Sequence, residues 1–270
     1  MIKMYWKPRI IYCVLIIVGF TGIGMLEIFD VMSRRLGSVC GIVWVFIAWY
    51  ISRLYAKKLP EKVNNILMQE CNTKDYIAFY EKCLRSKNVK AVRSRILLDL
   101  STGYYCAGNF EETKRVLDSL DEFSDTKDGI VNSVCYYNNL AGYYLTINDL
   151  INAEKVLELM KSTSESPKLS AANRERYHYL YIGKNFALNM RKGDYEGAEE
   201  HLKGAFDKEK NMLGRVSAKY NLGKLYKHFG AKKQAIAAFE YVLENGNQTY
   251  YTQKAREYLD DIDKNSEKNE

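Results

Sequence analysis

The sequence lacks the patterns on which most enzyme active sites depend. Its three histidines are isolated, without a His-Glu-x-x-His pair or an acidic partner pattern, and it contains no nucleophile elbow. The glycine-rich stretch GFTGIG, residues 19–24, lies inside an apolar run, whereas a phosphate-binding loop joins a strand to a helix. We therefore expect that the protein is not an enzyme and has no catalytic residues and no cofactor.

Metal-binding cysteine patterns are also missing. The six cysteines form no C-x-x-C pair and stand at no metal-ligand spacing from a histidine, so we expect no metal site. Four of them lie beyond the N-terminal region, mostly within apolar helical patterns: Cys71, Cys83, Cys106 and Cys135. Such cysteines are typical of small buried side chains in a reducing compartment.

Charged residues are absent from two stretches near the N-terminus. Residues 10–26 (IIYCVLIIVGFTGIGML) and 36–52 (LGSVCGIVWVFIAWYIS) are almost entirely apolar, and each has the length of a short membrane-spanning helix. A pair of buried core helices is the alternative, but no neighbouring amphipathic segment is available to bury them. A cleaved signal peptide is disfavoured by the second run and by the absence of an Ala-x-Ala site. We predict a two-span membrane anchor over residues 1–58, with spans at about 10–29 and 36–54.

Basic residues flank these predicted spans on their outer sides. Three precede the first span and four follow the second, whereas the loop between the spans has Arg34 and Arg35 offset by two acids. Because basic flanks are retained in the cytoplasm, we predict an integral protein of the cell membrane with both termini cytoplasmic. The stretch RLYAKKLPEK after the second span predicts contact with anionic membrane lipids. The flanking basic residues are Lys3, Lys7, Arg9, Arg53, Lys57, Lys58 and Lys62.

The rest of the chain is electrically balanced. Residues 1–62 contain nine of the 40 basic and three of the 33 acidic residues, which leaves 31 basic and 30 acidic residues beyond them. The net charge of +7 is therefore +6 in the N-terminal region and +1 in the remainder. Because a nucleic-acid-binding domain concentrates positive charge, we expect no nucleic-acid partner.

One phrase recurs four times along this remainder: CAGNFEETKRVL, LTINDLINAEKVL, MRKGDYEGAEEHL and HFGAKKQAIAAF. In each copy a glycine or asparagine separates two helical patterns, as suits the left-handed residue that ends a helix. The aligned turn residues are Gly108, Asn148, Gly193 and Gly230, and the predicted caps of the second helices are Asn109, Asp149 and Asp194. A fifth, weaker copy places Lys74 at the turn, after a helix that opens at Pro60.

Buried positions repeat together with the turns. A small side chain stands five residues beyond each turn residue and a large one stands nine beyond it, so the second helix can pack closely against the first. The small residues are Thr113, Ala153, Ala198 and Ala235, and the large ones are Leu117, Leu157, Leu202 and Phe239.

Two helices per unit, at intervals of 34 to 45 residues between turns, resemble the tetratricopeptide repeat (TPR) family, in a membrane-anchored form of bacterial type. The best copy is AKYNLGKLYKHFGAKKQAIAAFEYVL. The resemblance implies an all-α fold: a transmembrane hairpin, then an α-solenoid of about five helix pairs over residues 59–263. The implied units are 59–86, 92–123, 130–162, 170–209 and 213–246, followed by a capping helix at 248–263 and a disordered tail at 264–270. Asn185 and Asn189 depart from the apolar framework, so the first helix of the fourth unit is expected to be longer or rotated.

In such arrays the first helix of each pair lines a concave surface that binds partners. The resemblance therefore implies a scaffold that binds a protein or peptide, with lysine and arginine holding acidic groups and asparagine holding peptide backbone. The candidate groove residues are Arg95, Thr102, Tyr105, Asn138, Tyr220, Lys224 and Lys227. The alternative is a structural or accessory subunit of an envelope or transport complex, assembled through the membrane helices. Neither the partner nor the oligomeric state follows from the sequence.

Overall fold

The structure is a computed structural model that describes residues 2–29, 31–85 and 92–267. Over these residues the chain forms twelve α-helices and no strand, which confirms the predicted all-α class. In chain order the helices are α1 (Ile2–Ile28), α2 (Arg34–Met68), α3 (Thr73–Leu84), α4 (Arg93–Ala107), α5 (Phe110–Asp118), α6 (Lys127–Thr146), α7 (Leu150–Ser164), α8 (Ala171–Arg191), α9 (Ala198–Lys208), α10 (Met212–His228), α11 (Lys232–Asn245) and α12 (Tyr250–Glu267). Positions 1, 30, 86–91 and 268–270 of the predicted domains lie outside the described residues.

The chain divides into two compact units. The N-terminal unit comprises Met1–Asn65 with Arg85–Val89, and the C-terminal unit comprises Ile66–Leu84 with Lys90–Glu270.

The N-terminal unit contains two helices that are long and apolar enough to cross a membrane, judged by length and composition. Their apolar segments are Ile10–Ile28 and Arg34–Leu54, close to the predicted spans. No side chain of the first segment is buried within the structure. Large apolar side chains such as Ile17 and Phe46 are 63% and 66% exposed. A surface of this kind suits an apolar surrounding better than water.

Glycine allows these two helices to meet. The ring of Trp44 occupies the place where a side chain at Gly19 would stand, since a Cβ there would lie 1.8 Å from the indole Nε1. The same Nε1 donates a hydrogen bond to the carbonyl oxygen of Leu15 at 2.7 Å. The indole N–H of this half-buried tryptophan is thus satisfied without water.

Helix α2 differs from the predicted boundary between anchor and repeats. It continues as one helix from Arg34 to Met68, through the predicted end of the anchor at 58 and the predicted helix start at Pro60. That prediction rested on the preference of proline for the first turn of a helix. Proline inside a helix removes one hydrogen bond, but here Lys, Leu and Glu on both sides are good helix formers. No glycine or capping residue beside it ends the helix.

Left-handed residues end helices at all four aligned turns, as predicted. The φ angle is 80° at Gly108, 62° at Asn148, 90° at Gly193 and 70° at Gly230. The small and large residues five and nine positions later are all buried. Accordingly α4 packs on α5, α6 on α7, and α10 on α11.

Two of the three predicted caps are also confirmed. Asn109 and Asp149 each accept a hydrogen bond from the backbone N–H three residues on, at 3.2 and 3.1 Å. The prediction for Asp194 is wrong: its carboxylate accepts the N–H of Glu196 at 3.1 Å, and α9 begins only after Gly197, which has a φ of 65°. The side chain of Asp194 forms a local turn of its own, which delays the helix.

The register of the weak first copy is wrong by three positions. Cys71, with a φ of 51°, is the left-handed residue, and Lys74 lies inside α3. The side chain of Asn72 accepts the backbone N–H three residues on at 3.0 Å, as Asn109 does in the next copy. Cysteine has no particular preference for this conformation, so the sequence carries no turn signal there.

Burial of the cysteines agrees with their predicted role. Cys71, Cys83 and Cys106 are buried and Cys135 is half-buried. Burial raises the pKa of the Cys71 thiol to about 11 and that of Cys106 to about 12. Both thiols are therefore protonated and unreactive at neutral pH.

Helix α12 joins the two ends of the C-terminal unit. It packs on α11 and α10 and also on α4. Thr73 Oγ1 donates a hydrogen bond to the carbonyl of Gln248 at 3.1 Å, and Asn247 Nδ2 donates to the carbonyl of Glu70 at 2.9 Å. The sequence predicts a capping helix but not this closure. The helix also runs to Glu267, beyond the predicted end at 263.

Candidate binding groove

The seven predicted groove residues lie on three helices of the C-terminal unit. Arg95, Thr102 and Tyr105 are on α4, Asn138 is on α6, and the other three are on α10. The structure does not gather them into one surface. Those on α4 and α6 contribute mainly to packing between these two helices, and on α10 Tyr220 and Lys227 face α12 whereas Lys224 lies over the ring of Tyr220.

Thr102 and Asn138 belong to a polar network centred on Asn139, which is buried and was not predicted as a site residue. Asn139 Nδ2 lies within hydrogen-bonding distance of Thr102 Oγ1 and Ser101 Oγ, both at 2.9 Å, and of the Leu98 carbonyl at 3.2 Å. Asn138 Nδ2 donates in turn to Asn139 Oδ1 at 3.2 Å. A buried amide needs such partners, so the main role of this network is to hold α4 against α6.

The positive charge of Arg95 is neutralised by an acidic residue of the same helix. Its guanidinium forms an ion pair with Asp99 at 3.2 Å and donates to Cys135 Sγ at 3.8 Å. Burial raises the pKa of the Asp99 carboxyl, and the neighbouring guanidinium opposes this shift. Because breaking such a pair would leave the carboxylate less well satisfied, Arg95 is poorly placed to hold an acidic group of a partner.

A row of aromatic rings connects α4 to α10 through α12. The ring centroids of Tyr105 and Phe110 are 5.8 Å apart, those of Phe110 and Tyr250 are 5.1 Å apart, and those of Tyr250 and Tyr220 are 6.4 Å apart. Gly108 makes this row possible, since a Cβ at that position would lie only 2.9 Å from the ring of Tyr250. The chain's own C-terminal helix therefore covers part of the surface predicted for a partner.

The coverage is most complete at Tyr220. This residue is 6% exposed, and its ring lies within 6.4 Å of three tyrosine rings of α12. Lys227 also faces α12, where its Nζ pairs with Asp261 at 3.2 Å and lies 4.4 Å from the ring centroid of Tyr258. Tyr220 and Lys227 thus hold α12 in place.

Three basic side chains border what remains uncovered. Lys224 Nζ lies 5.6 Å from the ring centroid of Tyr220. Lys184, on α8, lies 5.4 Å from the ring centroid of Tyr105. Arg191 lies two turns beyond Lys184 on the same side of α8. Within the part of the chain that the structure describes, none of the three basic residues forms an ion pair.

The electrostatic environment of Lys224 reflects this missing partner. Burial, together with the positive charge of Arg191, lowers the pKa of Lys224 to about 8. A nearby anion would act in the opposite direction, because an opposite charge favours the protonated amine. The groove is therefore short of negative charge at this point.

Helix α8 is spaced differently from its two neighbours α6 and α10. Helix α4 packs against α6, and α6 packs against α8. Among the described residues, the backbones of α8 and α10 do not approach each other as closely. Instead, Phe186 and Met190 of α8 reach the apolar cluster that includes Leu202 and Leu222. Helix α8 extends over 21 residues and α6 over 20, so the expected departure of the fourth unit stays a prediction.

Sequence reasoning missed Lys184, Arg191 and Asn139. The family framework aligned α8 poorly, so its groove-facing positions could not be assigned. A signal was present in the glycine at position 142, where a Cβ would lie 2.8 Å from Lys184 Nζ and 3.2 Å from Tyr105. A helical glycine of this kind indicates that another group approaches closely.

The histidines take part in packing. His201 stacks on Phe186 with centroids 4.0 Å apart, and His228 stacks on Tyr195 at 4.4 Å. Among the described residues no group of three or more His, Cys, Asp or Glu side chains could hold a metal ion.

Comparison with protein-family models, with curated proteins and with solved structures finds no match to this chain. The resemblance to tetratricopeptide repeats therefore rests on the repeat itself.

Proposed function

We propose that this chain is a membrane-tethered interaction scaffold, in which a tetratricopeptide-like array binds an acidic segment of a protein partner at the basic side chains of α8 and α10. The observation that carries the proposal is the group of three basic side chains, Lys184, Arg191 and Lys224, that lie there without ion-pair partners in the described chain. Lys184 and Lys224 lie over the rings of Tyr105 and Tyr220, and a carboxylate of the partner would pair with these cations.

Four confirmed left-handed turns and the buried small and large positions support the array. The two apolar helices and their basic flanks support the membrane anchor, with both termini in the cytoplasm. The partner is expected to be a protein or peptide, because an array of helix pairs offers an extended surface rather than a deep pocket.

Binding can be tested on the full chain in detergent micelles with a fluorescent, glutamate-rich peptide of eight residues. Replacing Arg191 and Lys224 with glutamate should abolish binding, whereas Lys155→Glu, an exposed change on α7, should leave it intact. Equal loss of affinity in the groove variant and the control would show that only overall charge matters. Equal affinity in the groove variant and the wild type would overturn the proposed site.

The pH dependence offers an independent readout. Because the pKa of Lys224 is lowered to about 8, part of the lysine is neutral at that pH. An anionic peptide favours the charged form, so its binding at pH 8 should be accompanied by proton uptake. Titration calorimetry in two buffers with different ionisation enthalpies measures this uptake, and the Lys224→Met variant should show none at this residue.

Topology is tested with reporter fusions after Glu270. A reporter that functions only in the cytoplasm should be active in intact cells, and one that functions only outside should be silent. The reverse pattern would remove the cytoplasmic pool of partners from the proposal.

A further inference from the structure

The C-terminal unit contains a second concave surface, formed by other residues than the groove. It is a cleft of about 920 Å³ between α9 and the start of α11, with the end of α10 as its floor. Both α9 and α11 pack on α10, but in the described chain they do not approach each other as closely. The cleft is lined by Glu200, Gly204 and Asp207 on α9, and by Leu225, Phe229 and Gln234 on the opposite side.

The floor of the cleft is apolar and open to solvent. Phe229 follows the last residue of α10 and is 63% exposed, whereas Leu225, one turn earlier, is only 4% exposed. The ring of Phe229 contacts Tyr195 at a centroid distance of 5.5 Å. The two aromatic rings thus offer an apolar surface that the described residues cover only in part.

Glycine in the wall of the cleft has no explanation within the chain. Gly204 lies in the middle of α9, where glycine is a poor helix former. A Cβ at this position would meet nothing within 4 Å, and its φ is not left-handed. The packing of this chain would therefore accept a side chain at 204. An occupant that lies close to the backbone of α9 would not.

The rim of the cleft is acidic. Glu200, Gly204 and Asp207 lie on one side of α9, at spacings of four and three residues. Glu200 and Asp207 are exposed, and neither forms an ion pair with another described residue. Glu199 is already engaged, since it accepts hydrogen bonds from Lys203 Nζ at 2.6 Å and Tyr226 OH at 2.9 Å.

We infer that this cleft docks a basic amphipathic helix of another protein. Its apolar side chains lie on Phe229 and Tyr195, its backbone passes Gly204, and its lysines or arginines meet Glu200 and Asp207. Two helical walls with a glycine between two acids favour a helix as the occupant, because small residues let helices approach closely. The inference does not depend on the groove, which is basic and would take a partner of opposite charge.

The test uses the full chain in detergent micelles and a fluorescent, alanine-based helical peptide with four lysines and two leucines on one face. Glu200→Lys should weaken binding about tenfold or more. The matched control is Glu158→Lys, which makes the same charge change at an exposed position on α7 and should not affect binding. A peptide with glutamate in place of lysine should not bind the wild-type chain.

Gly204→Leu separates binding from folding. Leucine is the better helix former and meets open space at this position, so the Tm should stay the same or rise while the cleft is filled and binding is lost. Unchanged affinity in both Gly204→Leu and Glu200→Lys would overturn the inference. It would also be overturned if the wild-type chain were a dimer that Gly204→Leu dissociates, since a second copy would then be the occupant.

Discussion

Replacing Gly108 with alanine should destabilise the C-terminal unit more than the same change at Gly230. Both glycines are left-handed, with φ angles of 80° and 70°. A Cβ in this conformation costs about 1–2 kcal/mol, and a less flexible unfolded chain returns about 0.4–1 kcal/mol. At Gly230 nothing lies within 4 Å of the added atom, so the net loss there is about 1 kcal/mol.

At Gly108 the same atom also collides with α12. It would lie 2.9 Å from Cδ2 and 3.3 Å from Cβ of Tyr250. Cβ of Tyr250 is fixed to the helix backbone, so a ring rotation alone cannot relieve the contact. Overpacking of this kind costs about 1–3 kcal/mol, which brings the expected loss for Gly108→Ala to about 2–4 kcal/mol.

Urea unfolding of the full chain in detergent micelles, followed by far-UV circular dichroism, measures the difference. Tryptophan emission is the internal control, because all three tryptophans lie within residues 1–50 and report on the N-terminal unit. In a Tyr250→Ala background the contact with the ring is removed and only the contact with Cβ at 3.3 Å remains, so the difference between the two glycine variants should become smaller. Equal losses at Gly108 and Gly230 in the wild-type background would show that α12 does not press on α4.

Three further predictions concern other parts of the molecule. Asn139→Ala should cost about 1–3 kcal/mol of unfolding free energy in urea, because buried hydrogen-bonding groups around it lose their partner; a loss below measurement error would contradict a structural network. The folded pKa of Lys224, about 8, lies below its ordinary 10.5, so the folded chain binds fewer protons between these values. The free energy of unfolding of the wild type should therefore rise by about 1–3 kcal/mol relative to that of Lys224→Met between pH 8 and 10.5. The lowered pKa of Lys224 would be refuted if the stabilities of both proteins depended on pH in the same way. Gly19→Val should separate α1 from α2, because its side chain collides with Trp44, whereas Gly22→Val meets nothing within 4 Å and should not. Tryptophan emission in detergent should therefore shift for Gly19→Val and stay as in the wild type for Gly22→Val. An unshifted emission for Gly19→Val would contradict the contact.

Local rules of helix ends account for most of what the sequence predicted correctly. Gly108, Asn148, Gly193 and Gly230 are left-handed because few other residues adopt that conformation cheaply, and this preference is visible in any single copy. The buried small and large positions follow from helical spacing in the same way. Where the local signal was weak, at Cys71, the predicted turn was placed three residues too late.

The groove could not be predicted to the same extent because it depends on contacts between distant segments. Tyr220 and Lys227 do lie on the expected helix, but α12 covers them, and nothing in the repeat pattern specifies where the last helix returns. Lys184 and Arg191 escaped notice because the fourth unit departs from the repeat framework. Charge pairing adds a further limit, since Arg95 was a reasonable candidate until its ion pair with Asp99 was located.

The return of α12 to α4 bears on how the C-terminal unit folds. In an open row of repeats each unit contacts only its neighbours, so folding can begin anywhere and an end repeat can be lost at modest cost. Here the hydrogen bond from Thr73 to Gln248 joins residues 175 positions apart. Contacts of such long range slow folding, because the intervening chain must be ordered before they form. They also couple the stability of the first and last helices of the unit. The unit should therefore fold and unfold cooperatively, and removing α12 should destabilise α4.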